Sequence, residues 1–248
     1  MKKDIFTKNL IFLSSVDSTN KAAQEILENE NRNENFVIVS NYQTAGRGQG
    51  RNHWESENGK NIIFSLLVFP DFLKAENQFY LLKAVSLGLV DYLSKIVKNI
   101  KIKWTNDIYV EDKKIAGILI ENSIQTDYLS HSIIGVGLNL NQHKFHSNAP
   151  NPTSLNILTD KEFDINIEIE KLLESLSYRY FQLKCKEFSK LDDDYFKYLY
   201  LKNQVRKYKS DSGIIEAKIV RVNKLGQLLL QNNDGISEFN YGEIEFLL

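Results

Sequence analysis

The sequence predicts an α+β protein with a mixed or mostly antiparallel sheet, followed by a small all-β tail. Three observations carry this. Apolar runs of strand length are interleaved with segments of helical period, without the strict alternation of a doubly wound fold. From about residue 203 the texture changes to short strands separated by Gly and Asn turns. Finally, 248 residues, 42% of them hydrophobic, suffice for one large domain or for one with a small companion.

The elements follow in order. Residues 10–16 (LIFLSSV) are apolar and strand-like. DSTNKAAQEIL continues as a helix, with Asp17, Ser18 or Thr19 available as N-cap before the Ala/Ile/Leu pattern. Residues 36–40 (FVIVS) read as a buried strand, and 43–60 as a polar loop bearing glycines. Residues 61–69 (NIIFSLLVF) form a strand that Pro70 ends. Between 75 and 97, Phe79, Leu82, Val85, Leu89, Leu93 and Ile96 recur at helical spacing, which predicts one long amphipathic helix. Residues 100–110 and 115–121 read as a hairpin about the polar turn EDKK. Residues 131–140 (HSIIGVGLNL) are a strand interrupted by two glycines, 141–152 a polar loop, and 168–188 a helix. The tail reads as a small β-barrel or sandwich.

Composition excludes several function classes. Lys+Arg 31 against Asp+Glu 32 gives a net charge of −1, which argues against a wholesale nucleic-acid or membrane surface, including one built on the Lys and Arg of residues 202–209. The single cysteine, Cys185, excludes an internal disulfide framework and a Cys-based zinc cluster, and it fits a reducing cytoplasm. The N-terminal segment begins like a signal peptide but lacks an apolar core and a cleavage site. No run approaches the roughly 20 apolar residues of a membrane span. The four histidines show no metal-ligand spacing, so no metal ligands are expected among the side chains. No G-x-S-x-G elbow is present, and Cys185 lies in a charged helical stretch.

Three segments can carry chemistry. In QTAGRGQGRNHW (43–54), glycines 46, 48 and 50 alternate with polar or cationic residues. Such a backbone can converge its N–H groups on an anion, with Arg47 and Arg51 as charge-assisted donors. By composition alone the same segment reads equally as a solvated surface loop, and it is neither a Walker A nor a Rossmann fingerprint. In KWTND (103–107) and KIAGILIE (114–121), the predicted hairpin brings Lys103, Asp107 and Lys114 near one another. Two lysines suit a carboxylate or phosphate, and Gly117 lets a ligand lie against the backbone. Lysines of a polar turn are, however, more often plain surface charges. In GVGLN (135–139), glycines inside a strand mark a bulge or a close approach, and Asn139 reads as an adenine or amide reader or as a turn residue.

Taken together and in this order, DSTN (17–20), QTAGRGQ (43–49) with Trp54, KWTND (103–107), KKIAGILIE (113–121) and GVGLN (135–139) resemble biotin–protein ligases. The C-terminal GQLLL…GEIEF (226–246) resembles the family's SH3-like domain more loosely. The resemblance covers nearly the whole chain. It implies a class II aminoacyl-tRNA synthetase/biotin ligase-like catalytic domain with a mixed sheet at residues 1–198, and a C-terminal SH3-like β domain at 199–248.

The resemblance also implies roles. Ser18, Thr19 and Gln43 hold the ureido ring of biotin, with Asn20 beside them. Gly46 and Arg47 cover the biotin carboxyl end and the α-phosphate. Lys114 contacts the biotin carboxylate. Gly117 and Leu119 line the tail pocket, opposite Gly135 and Gly137. Arg47, Gln49, Trp54, Lys103, Asn106 and Asn139 form the ATP side, with Asn139 facing the adenine and Phe145 closing a loop over it. Lys103, Asn106 and Asp107 surround the phosphates or the acceptor lysine, and Asp107 steers or deprotonates that lysine. The implied reaction joins biotin to ATP, with Mg²⁺, as biotinyl-5′-AMP and then transfers biotin to a lysine of a biotin carboxyl carrier domain.

Two positions depart from the family pattern. Thr105 stands where the family usually has proline, and Gln49 where some members have a second arginine, so Arg51 is the candidate to complete the phosphate contacts. The first motif begins at Asp17, which leaves no room for the N-terminal DNA-binding head of bifunctional members, so an enzyme without repressor function and without DNA as partner is expected. The family includes monomers and sheet-to-sheet homodimers, and the sequence leaves both open. A lipoate or octanoate–protein ligase of the same fold is the nearest alternative. A non-enzymatic binder of biotin or nucleotide is disfavoured because Arg47 and Lys114 are both retained.

Overall fold

Alternation within the predicted strands decides how the layers stack. In the computed structural model, which describes residues 5–6, 9–30, 33–147 and 151–247, strand β2 (Phe36–Ser40) lies between β1 (Leu10–Leu13), to which it is parallel, and β3 (Ile62–Val68), to which it is antiparallel. Phe36 and Ile38 point to one side of the sheet, and Val37 and Val39 to the other. Leu67 of β3 shares the first side, while Ile62, Phe64, Leu66 and Val68 share the second. The first side is partly covered by helix α1 (Thr19–Glu30), through Ala22 and Ala23. The second side is the main core, covered by α2 (Phe79–Leu93) and α4 (Ile165–Lys184).

The sheet has seven strands in the order β1-β2-β3-β7-β6-β5-β4. Its remaining members are β4 (Ile100–Lys103), β5 (Asp107–Val110), β6 (Lys113–Gln125) and β7 (Tyr128–Leu138), all antiparallel to their neighbours. The mixed sheet expected from the sequence is therefore present. A second sheet follows, antiparallel, in the order β11-β10-β9-β8-β12. It comprises β8 (Val205–Ser210), β9 (Gly213–Val222), β10 (Leu228–Asn232), β11 (Gly235–Phe239) and β12 (Ile244–Leu247). Its Tyr208, Ile219, Leu228 and Leu230 join the same apolar cluster as the first sheet's second face.

Several elements differ from the sequence reading. Residues 100–110 are two strands rather than one. The chain reverses at 104–106, where Trp104 turns inward and its indole Nε1 donates to the Gly226 carbonyl at 2.9 Å. The Trp104–Thr105 peptide is cis. In the sequence only the polar Thr105, Asn106 and Asp107 mark this reversal. The helix predicted at 75–97 is a 3-10 turn at Ala75–Asn77 followed by α2, and nearly every α2 side chain is buried because helices and both sheets surround it. Strand β7 runs through its two glycines without interruption. Helix α4 starts earlier than predicted because the Asp164 carboxylate caps it, accepting from the N–H groups of Asn166 and Ile167. Two short helices, α3 (Leu155–Thr159) and α5 (Phe188–Tyr198), were not foreseen. Residues 148–150 of the predicted 141–152 loop, and the first four residues of the N-terminal segment, lie outside the described residues.

Lys83 of α2 links the second sheet to α5. Asp192 of α5 accepts from the buried Lys83 at 2.6 Å and from the Tyr80 hydroxyl at 2.9 Å, while the Lys83 ammonium also reaches the carbonyls of Val222 and Asn223. Burial pulls the Lys83 ammonium below the ordinary lysine pKa, and Asp192 opposes that shift.

Helices α2 and α4 cross at Gly88. A methyl group there would lie 2.7 Å from Leu176 Cδ2 and 3.0 Å from its Cα. Gly88→Ala should therefore destabilise the fold by about 1–3 kcal/mol despite alanine's better helix propensity. Equilibrium denaturation checks this; a more stable variant would show that the crossing has slack.

Candidate functional site

Helix α1 leaves part of the sheet's first face bare, and there the strands present very small side chains. Register aligns Asp107 of β5 with Gly117 of β6, Gly117 with Gly137 of β7, and Gly137 with Ile63 of β3. The next row on the same face is Leu119, Gly135 and Ser65. The bare patch is the floor of a cavity of about 500 Å³, a size ordinary for a small-molecule site.

One wall is the start of α1. Thr19 donates its N–H to Gln43 Oε1 at 2.8 Å, and its hydroxyl lies 2.7 Å from Ser65 Oγ. Ser18, Thr19, Asn20 and Gln43 all line the cavity. Gly135 is required here, because a side chain would collide with Asn20 Oδ1.

The roof is the glycine segment. It doubles back on itself, with Gly48 N–H donating to the Asn52 carbonyl at 2.8 Å and Trp54 N–H to the Gly46 carbonyl at 2.9 Å. The return lays the Trp54 indole against Gly117 and Gly137. Gly46 is not part of the lining; its lack of a side chain is what allows Trp54 to pass so close. Gln49 Oε1 accepts from the Thr105 hydroxyl at 2.7 Å, which ties the glycine segment to the 104–106 reversal. From the 141–147 stretch, Ser147 reaches the lining, and its N–H donates to the Glu55 carboxylate at 2.6 Å. Phe145 is half-buried and outside the lining.

The far end is cationic. Lys114 pairs with Asp107 at 2.7 Å, and its ammonium lies 5.9 Å from the centre of a Trp54 ring. The Lys103 ammonium sits over the rings of Tyr109, at 5.1 Å, and Phe246 of β12, at 5.4 Å. Burial holds Lys103 below the ordinary lysine pKa; Asp107 opposes this and Lys114 adds to it. Asn106 exchanges hydrogen bonds with Ile118, giving its Nδ2 to the carbonyl and accepting the N–H on its own carbonyl. Four cationic side chains, Arg47, Arg51, Lys103 and Lys114, face one carboxylate in the lining, Asp107. The cavity therefore favours anions at this end.

The structure thus brings Ser18, Thr19, Asn20, Gln43, Arg47, Gln49, Trp54, Lys103, Asn106, Asp107, Lys114, Gly117, Leu119, Gly135 and Gly137 to one cavity. Asn139 lies outside the lining, unlike the adenine-facing position expected for it. Its Nδ2 donates to the Thr153 carbonyl at 2.9 Å, and Thr153 N–H donates to the Lys114 carbonyl at 2.9 Å. Asn139 thereby braces the backbone that carries Lys114, and its buried Oδ1 has no partner. Ser65 and Tyr241 were not singled out by sequence. Ser65 is the one polar side chain inside an apolar strand, which is a usable signal. Tyr241, which lines the cavity from the second sheet, carries none. Among the described residues no group of three or more His, Cys, Asp or Glu side chains could hold a metal ion, and no helix is long and apolar enough to cross a membrane.

Comparison with known proteins agrees with this geometry. Residues 12–139 match the biotin/lipoate A/B protein ligase family. The chain is 30% identical over 252 residues to the bifunctional ligase/repressor BirA of Bacillus subtilis, covering 99% of this chain and 76% of that protein. It is 29% identical over 150 residues to the biotin–[acetyl-CoA-carboxylase] ligase of Mycobacterium tuberculosis, covering 59% and 54%. The structure of the Aquifex aeolicus biotin protein ligase in complex with biotin and ATP superimposes with a TM-score of 0.80 at 30% identity, covering 96% of this chain and 98% of that one. The chain belongs to the biotin/lipoate A/B protein ligase family. Its fold is that of the biotin protein ligases, with their class II synthetase-like core.

The floor is tightest beneath Trp54, since any side chain at residue 137 would collide with the indole. Gly137→Ala should expel the ring and shift tryptophan emission to longer wavelength. Emission identical to the parent's would show that the ring tolerates the methyl group in place.

Proposed function

We propose that this chain condenses biotin with ATP to give biotinyl-5′-AMP and pyrophosphate, and then transfers the biotinyl group to a lysine of a biotin carboxyl carrier domain, in the cytoplasm. The observation that carries the reading is the polarity of one cavity. A neutral hydrogen-bonding end at Ser18, Thr19 and Gln43 is joined across a glycine floor to a cationic end at Arg47, Lys103 and Lys114. This suits a ligand with a polar uncharged head, a slender apolar tail and an anionic terminus. The likeness to biotin protein ligases supports it.

In this reading Ser18, Thr19, Asn20 and Gln43 bind the ureido ring. Gly117, Leu119, Gly135 and Gly137 line the path of the tail, with Asn20 over Gly135 and the Trp54 indole over Gly117 and Gly137. A carboxylate is a poor acyl donor, so it must be activated. One carboxylate oxygen bonds to the α-phosphorus of ATP as the bond to the pyrophosphate oxygen breaks. Two anions meet in that step, and charge gathers on the equatorial oxygens. Lys114 and Arg47 stabilise it from fixed positions. Gln49, Trp54, Lys103 and Asn106 form the nucleotide side, with Arg51 at its rim. Mg²⁺ would enter on the ATP phosphates and offset their charge, since among the described residues the cavity lining offers a single carboxylate, Asp107.

The mixed anhydride that results must be shielded from water, and the folded-over 46–54 segment provides the cover. The acceptor amine then attacks the biotinyl carbonyl, its nitrogen–carbon bond forming as the bond to AMP breaks. Asp107, on the floor row and beside Lys114, steers that amine and receives its proton. Residues 1–198 then make up the catalytic domain, and 199–248 a second domain that buttresses it through Gly226, Phe246 and Tyr241.

Incubation with ATP, Mg²⁺, biotin and a carrier domain, read by intact mass, should show one added biotinyl group. ATP–pyrophosphate exchange stimulated by lipoate and not by biotin would instead make the chain a lipoate ligase. Lys114→Ala should lower the adenylation rate by roughly 10²–10³-fold, as for a lost charge stabiliser. Near-normal turnover in that variant would move the reacting centre elsewhere. Arg47→Gly should form the adenylate but hold it poorly, so that released biotinyl-AMP labels lysines of bystander proteins. Tight retention would count against Arg47 as its cover.

A further inference from the structure

Arg47 lies on a folded loop, and nothing within that loop fixes its guanidinium. Its partner is Glu121 of β6, 2.7 Å away, and both side chains are about half exposed. Glu121 is one row beyond Leu119 on the sheet's first face, outside the cavity lining. The contact uses Arg47 Nη2, which leaves Nε and Nη1 for oxygens inside the cavity.

Glu121 is itself held. Asn20 Nδ2 donates to Glu121 Oε2 at 2.7 Å, so the Asn20 amide is oriented with its oxygen toward β3. That oxygen lies 2.6 Å from Ser65 Oγ, which is fully buried. Ser65 Oγ donates toward Asn20 Oδ1 and also lies 2.7 Å from the Thr19 hydroxyl, which itself donates to Gln43 Oε1 at 3.1 Å. Thr19 N–H in turn holds Gln43. The result is an unbroken line from Gln43 through Thr19, Ser65, Asn20 and Glu121 to Arg47. It begins at the neutral end of the cavity and finishes at the cover of the cationic end.

We propose that Glu121 is a positioning residue for Arg47, and that Ser65 and Asn20 lock this position to the groups binding the neutral end of the substrate. The proposal rests on reading the cavity as the biotinyl-AMP site. Glu121 touches no reacting atom; it sets where the guanidinium stands, while Arg47 does the covering. A single carboxylate thereby serves both ends of the cavity. A substrate head that seats well on Thr19 and Gln43 finds the arginine already placed for its other end.

The test is the escape of biotinyl-AMP, read as labelling of a bystander protein that lacks a carrier domain. Glu121→Gln keeps the shape and removes the charge. Escape should rise roughly two- to five-fold, the range expected from losing a half-exposed ion pair, and less than in Arg47→Gly. Glu121→Asp, which keeps the charge, should fall between the parent and Glu121→Gln. Glu121→Gln added to Arg47→Gly should change nothing further, because glutamine keeps an acceptor oxygen for Asn20 and the lost charge acts through Arg47. Escape unchanged in Glu121→Gln, escape higher in Glu121→Asp than in Glu121→Gln, or a further rise in the double variant each overturn the proposal. An unsubstituted chain that makes no biotinyl-AMP overturns the reading of the site itself, a result distinct from all of these.

Discussion

The rest of the structure depends on a patch of sheet almost without side chains. Gly117, Gly135 and Gly137 adjoin on one face of β6 and β7. A sheet face normally stands about 10 Å from the layer above it, filled by side chains from both. Here that filling is missing from one side, so other groups approach the backbone itself. Asn20 enters over Gly135, and the Trp54 indole lies over Gly117 and Gly137. Glycine is a poor strand residue, and the long pairing of β6 with β7 across thirteen and eleven residues offsets that weakness.

The floor dictates where everything else must come from. The opposite face is committed to the main core under α2 and α4, so the functional groups can enter only beside α1 and from the loops above. That explains why the cavity is assembled from eight stretches of the chain, and why the second sheet takes part. The 104–106 reversal carries Thr105 and Asn106 into the cavity, and it is held from behind by the Gly226 carbonyl on Trp104 and by the Tyr195 hydroxyl, 3.4 Å from the Thr105 carbonyl. A disturbance in the β9–β10 turn would thus reach the site through one indole.

Residues whose chemistry is local were legible in the sequence. Glycines inside a strand signal a close approach within a few positions, and five motifs in order pointed to the family. What stayed hidden was decided by tertiary contact. The polar Thr105, Asn106 and Asp107 mark a bend, but that it is a full reversal between two strands depends on Trp104 turning inward to the Gly226 carbonyl. Asn139 looks like a ligand reader at the end of an apolar strand, yet the 151–153 segment, far along the chain, takes its amide. Tyr241 is one aromatic among many in a polar tail, and only the docking of the second sheet brings it to the cavity.

Holding several cations in one small cavity is costly before any substrate arrives, since each raises the free energy of the others in their charged form. Lys103 shows this: burial and Lys114 together depress its pKa, and Asp107 pushes back. Asp107 is therefore more than a hydrogen-bond partner of Lys114. It is the one carboxylate in the lining among the described residues, and its charge opposes the depression of the Lys103 pKa while it pairs with Lys114. Glu121 pairs with Arg47 from outside the lining. Both carboxylates leave donors free on the cations they hold, so an incoming carboxylate or phosphate adds to the charge network without having to break it. A preorganised field of this kind acts on the transition state without reorganising, and it requires that the compensating anions stand beside or behind the cations, as Asp107 and Glu121 do.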